Sequence, residues 1–130
     1  MNAQREEALR FERLALRDAH AFDAIVNHCP AENFPVAAFH AQQAVEKCLK
    51  AVLSLRDMDY PRTHSLEELA GLVLSAHIAL PAPPDDLMYL TPYAIEFRYD
   101  DTLMPLCTPE QAHRLVIRFL EWTAACLAEN

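Results

Sequence analysis

At 130 residues the chain is long enough for one domain with a real core. A net charge of −8 with neutral histidines excludes a broad, unspecific grip on nucleic acid, which needs a positive field. Over half of the residues are hydrophobic, yet no apolar run reaches bilayer-spanning length, and the charged start MNAQREEALR lacks the apolar centre of a signal peptide.

One glycine, Gly71, stands against nine prolines. Proline-marked joints between long helices suit that composition better than a sheet with tight turns. Residues 5 to 27 are expected to form the first helix. Ala8, Phe11, Ala15, Ala19, Phe22 and Val26 make its buried stripe, and Glu6, Arg10, Arg13 and Arg17 its wet side. Asn27-His28-Cys29-Pro30 ends it. Pro35 fits the first turn of a second helix, where its missing N–H costs nothing.

That second helix, running to about Leu55 or Arg56, organises the chain. Ala38, Ala41, Val45, Cys48, Val52 and Leu55 repeat in steps of three and four, the seam of a helix packed into a bundle. His40, Gln43, Lys47 and Lys50 form a polar stripe beside the seam, and these lysines are the only two in the protein. Glu46 precedes Lys50 by four residues, the favourable order for a helical ion pair. A stripe of this kind is ordinarily a solvated face, on which Lys47→Ala leaves the fold intact. Amides and both lysines gathered on one side of a core helix also suit a site.

Residues 57 to 62, with Pro61, read as a loop. Ser65-Leu66-Glu67-Glu68 is a capping-box signature opening a third helix through Leu66, Leu69, Leu72 and Val73 to about Ala76. Leu80 to Pro84 is an extended connection. A fourth helical region is expected from Asp85 or Asp86, with the apolar series Leu87, Leu90, Ala94 and Phe97. Pro92 should kink it, or restart it with Thr91 as cap. After a loop from Asp100 to Cys107, Thr108-Pro109-Glu110-Gln111 is a second capping box. The last helix buries Ala112, Leu115, Val116, Phe119, Thr123, Cys126 and Leu127. The expected fold is all-α: a single domain over residues 1–130, an antiparallel up-and-down helical bundle of four long helices plus a short one. Cys29, Cys48, Cys107 and Cys126 form no C-x-x-C pair; a reduced, cytoplasmic protein is the simplest account.

The stretches QQAVEKCLKAVL, THSLEELAGL and LTPYAIEFRYDD, in this order, resemble the HEPN domain (higher eukaryotes and prokaryotes nucleotide-binding) over nearly the whole chain. The resemblance implies an antiparallel helical bundle that pairs as a homodimer. It also implies action beside a small nucleotidyltransferase partner, in a two-protein module of the toxin–antitoxin kind. Many members of the family cleave RNA. That branch carries an arginine, four to six residues, then a histidine, near a late helix junction. Here the late arginine is Arg98, and no histidine follows before His113. Arg13 and His20 have the right separation but lie in the first helix, where nothing else matches. The chain looks like the branch ending that helix in Arg-Tyr-Pro-Asp, with Asp100 in place of the proline. The departure counts against metal-free cleavage, which needs a histidine beside the arginine to handle a proton.

The candidate nucleotide-binding set is Gln42, Gln43, Lys47, Lys50, His64, Arg98, Tyr99 and Asp100. Lysines and Arg98 can hold phosphate oxygens, Arg98 as a planar fork. The glutamines can read base or ribose edges, Tyr99 can stack, and His64 precedes a helix start whose amides favour an anion. A bundle can bring these segments to one groove. Each residue also has a plain structural role open to it. Arg98 can pair with Glu96, Asp100, Asp101 or Glu46; His64 can cap the third helix; Tyr99 can be core. The leading reading is a module that binds a nucleotide or a nucleotidyltransferase partner. An RNA-cleaving toxin would need Arg98 with His64 or Asp100 as acid–base partner. A purely structural subunit would use the stripe as an interface. No catalytic residue is assigned. Glu110-x-x-His113 matches half of a di-iron motif with no second copy, the six histidines show no H-x-x-x-H, and one glycine allows no phosphate loop. No metal and no cofactor are therefore expected.

Overall fold

The fold, taken from a computed structural model that describes residues 2–129, begins at Asn2. Its Oδ1 accepts the Arg5 N–H at 2.7 Å and so caps α1 (Ala3–His28). α2 (Phe34–Leu55) follows after one short turn, with Pro35 in its first turn. α3 (Leu66–Ser75), the single-turn α4 (Glu96–Tyr99) and α5 (Pro109–Ala128) complete an all-helical bundle, with no strand among the described residues.

α1 runs antiparallel to both α2 and α5. Ala8 near its start packs with Ala51 and Leu127, while Phe22 near its end stacks on the ring of His113 at 6.3 Å. The Arg5 guanidinium donates to the Leu127 carbonyl at 2.9 Å, taking one of the carbonyls that the end of α5 leaves without a helical partner. The buried face of α1 is Ala8, Ala15, Asp18, Ala19 and Phe22; Phe11 is half-buried and Val26 is exposed. Asp18 is thus a carboxylate standing in the apolar register.

α2 is the central helix. From Ala37 to Leu55 none of its residues is exposed, because α1, α3, α4 and α5 all pack against it. Its polar stripe is therefore half-buried, not a solvated face. It ends without glycine. Asp57 takes the left-handed conformation (φ 53°), and the Met58 N–H reaches back to the Leu53 carbonyl at 2.9 Å. His77 (φ 62°) closes α3 in the same way.

The Ser65 cap forms half of its box. Ser65 Oγ accepts the Glu68 N–H at 3.2 Å, but the Ser65 N–H bonds Thr63 Oγ1 instead of the glutamate. At α5 the box is complete, with Thr108 and Gln111 bonding reciprocally at 3.1 and 2.9 Å. α5 buries Ala112, Leu115, Val116, Phe119, Thr123 and Leu127, while Cys126 is only partly covered.

The fourth helical region differs most from expectation. It is broken into 3-10 turns at Pro84–Leu87 and Thr91–Ala94, followed by α4. Pro92 supplies no N–H, so a continuous ladder cannot run through it. Thr91 does not cap its own turn. Its hydroxyl oxygen accepts the Leu66 N–H at 3.2 Å and donates to the Glu67 carboxylate, which ties the segment to the start of α3. Tyr93, fully buried, stacks on Phe97 at 4.0 Å and accepts the Leu106 N–H at 3.0 Å. These anchors fix the segment that carries Arg98.

Candidate functional site

Two buried carboxylates, one on α2 and one on α1, between them take up most of the polar stripe of α2. Glu46, only 3 % exposed, is the first. Its Oε1 accepts Gln42 Nε2 at 3.0 Å and meets His64 Nδ1 at 2.9 Å; its Oε2 accepts Lys50 Nζ at 3.0 Å. Gln42 is wholly buried. Its amide also donates to the His64 carbonyl at 3.1 Å, and its own oxygen accepts Gln43 Nε2 at 2.7 Å. A glutamine with its amide so engaged holds the loop before α3 against α2. Lys50 also lies 5.6 Å from the Tyr60 ring. A buried carboxylate needs this many donors, because desolvation penalises its charged form.

Asp18 of α1 is the second. Its two oxygens divide between His40 Nδ1, at 2.9 Å, and Lys47 Nζ. The Asp18 side chain is 12 % exposed. Bonding at Nδ1 fixes the imidazole plane and leaves Nε2 as its other ring nitrogen.

Arg98 stands at the second group, not the first. Its guanidinium lies over the Phe39 ring at 4.7 Å and 5.6 Å from the ring of Tyr99. Together with Pro35, Val36, Phe39, His40 and Phe97 it lines a cavity of about 340 Å³ between α2 and α4. It is exposed and forms no ion pair among the described residues; Glu96, Asp100, Asp101 and Glu46 all stay apart from it. Tyr99 is 79 % exposed and so is not core. Asp100 spends its carboxylate on the Thr102 hydroxyl (2.6 Å) and N–H (2.9 Å), which hold it below the usual aspartate range. Ser65, not His64, caps α3.

The eight expected residues therefore fall into separate places. Gln42, Gln43, Lys50 and His64 gather around Glu46. Lys47 joins Asp18. Arg98 lines the Phe39 cavity with Tyr99 beside its guanidinium but outside the lining, and Asp100 closes a local turn. The histidine beside Arg98 is His40, from α2, and no sequence spacing from Arg98 leads to it. Asp18 had one readable signal. It lies three residues after Ala15 and four before Phe22, on the buried stripe of α1. Chemically, the cavity offers a free guanidinium fork, an oriented imidazole and an aromatic wall, a set suited to a phosphate attached to a planar group. Among the described residues no group of three or more histidine, cysteine or acidic side chains is placed to hold a metal ion.

The family model described as the HEPN domain covers residues 13–124. No curated protein and no solved structure matches.

Proposed function

The chain belongs to the HEPN domain family, and from that premise we propose that it is a nucleotide-binding module whose phosphate contact is Arg98, without a ribonuclease site of its own. The observation that carries this is the open guanidinium. In a protein of charge −8, Arg98 rests on Phe39 with no carboxylate partner among the described residues, at the mouth of a cavity it shares with His40. In this reading the chain is one domain, works in the cytoplasm as a homodimer, and forms one half of a two-protein, toxin–antitoxin-like system with a small nucleotidyltransferase. The family resemblance supports the partner. Tyr99, 79 % accessible and beside the Arg98 guanidinium, supports an interface there.

Titration with a nucleotide at several salt concentrations tests it. Binding weakens as salt rises, because charge supplies much of the attraction. Arg98→Ala weakens it by about 1.5–3 kcal/mol, the range for a charged hydrogen bond. Arg98→Lys is also poor, because an ammonium cannot reproduce the fork. Nucleotide affinity unchanged in Arg98→Ala would overturn the assignment. RNA incubated with the pure protein stays intact.

A second reading, RNA cleavage, is favoured by His40. An imidazole oriented by Asp18 beside a free arginine supplies the proton-handling group that the sequence after Arg98 lacks. Cleavage abolished in both Arg98→Ala and His40→Ala would establish this reading in place of the first.

A further inference from the structure

We propose that a second cavity, between the Pro84–Leu90 segment and the N-terminal half of α5, binds a small ligand of nucleoside-monophosphate type, with Arg114 and Arg118 on its phosphate and Tyr89 against its ring. The cavity measures about 250 Å³ and is lined by Asp86, Tyr89, Gln111, Arg114, Leu115 and Arg118 among others. It shares no residue with the Arg98 cavity, so the inference does not rest on the reading above.

Arg114 and Arg118 are four residues apart on one helix, the spacing at which like charges repel. Carboxylates that could relieve the repulsion are close in sequence. Glu110 precedes Arg114 by four residues, and Glu121 follows Arg118 by three. Neither pairs with an arginine among the described residues, and Asp86, which lines the same cavity, does not pair with one either. Two arginines thus line one cavity with neither in an ion pair among the described residues, although Asp86 lines it too. A phosphate there would meet both forks and remove their mutual repulsion.

The rest of the lining selects what the phosphate is attached to. Tyr89 is half exposed, with its ring free to stack. Leu115 gives an apolar floor. Gln111 uses its side-chain oxygen on the Thr108 N–H, which leaves its NH₂ group as a donor. Asp86 is an acceptor, unhelpful to a bare phosphate but suited to ribose hydroxyls or an exocyclic amine. At about 250 Å³ the cavity is too small to enclose a nucleotide chain.

The test uses the full chain carrying Arg98→Ala, so that the other cavity does not contribute. Calorimetric titration with 5′-AMP should still show binding. Adding Arg114→Gln and Arg118→Gln should weaken it by at least about tenfold, as loss of bidentate charged contacts implies. Adenosine, lacking the phosphate, should bind about as poorly to the parent. Tyr89→Ala should weaken 5′-AMP and leave inorganic phosphate unchanged. Independently of the variants' folding, 5′-AMP should shift backbone amide resonances at 86–89 and 111–118 in the Arg98→Ala protein. Absence of 5′-AMP binding to that protein, affinity indifferent to both arginines, or shifts confined elsewhere would overturn the proposal. None of those results would bear on Arg98 itself.

Discussion

Lys47 shows how burial changes the meaning of a residue. As part of a solvated stripe it would be dispensable, and Lys47→Ala would leave stability unchanged. Bonded instead to the buried Asp18 carboxylate, it neutralises a charge that water barely reaches. Its loss leaves His40 as the remaining partner. Lys47→Ala is therefore expected to lower stability by about 1–3 kcal/mol. Urea unfolding reads this directly, and an unmoved midpoint would restore the wet-face view. Cys48 carries a pH prediction. Burial pushes its thiol up to about 12, with its bond to Thr123 acting in the opposite direction. The folded state then keeps a proton that the unfolded chain releases near the ordinary value of 9.0. Between those values the native state binds more protons, so stability falls as pH rises. The melting temperature should be insensitive to this thiol below about pH 8 and should decline above pH 9. Cys48→Ala, though less stable throughout for its cavity, should show a shallower alkaline decline.

Among the elements, the parts set by local chemistry were legible. The seam of α2 follows from spacing alone, and the Thr108 box closes as its four residues require. The region from Pro84 to Tyr99 was not legible as one helix, because Pro92 forbids the ladder and Thr91 is claimed by α3. Sequence spacing also could not place Arg98 over Phe39, since that contact depends on where the broken segment docks. α3 offers a direct test of helix propensity. Gly71 sits mid-helix on its exposed side, and a methyl group there would meet nothing within 4 Å. Gly71→Ala should therefore stabilise the protein by about 0.5–1 kcal/mol through the entropy of the unfolded chain. A lower melting temperature in that variant would mean that this face of α3 touches something in solution, such as a second copy.

On the scale of the whole molecule, several large apolar side chains are left outside. Val36, which lines the Arg98 cavity, and Met88, Tyr89, Ile95, Tyr99 and Met104 are all more than half exposed. A homodimer is the expected state, and sedimentation should give twice the chain mass of 14.7 kDa at micromolar concentration. A monomer there would remove any site shared between subunits. α2 has a further consequence. It is covered all round and rich in alanine at its buried positions, so several rotations about its own axis would offer its neighbours nearly the same surface. The hydrophobic effect alone does not choose among them. The contacts of Asp18 on α1 with His40 and Lys47, and of Glu46 with His64, join α2 to other segments and close at only one angular setting. Their main product is then uniqueness of structure, with net stability secondary. Replacing them with neutral side chains of similar shape (Asp18→Asn, Glu46→Gln, Lys47→Met and Lys50→Met together) should keep the helical circular dichroism and lose the sharp, dispersed resonances of a single packed state. A fully dispersed spectrum from that variant would assign the angular choice of α2 to its alanines after all.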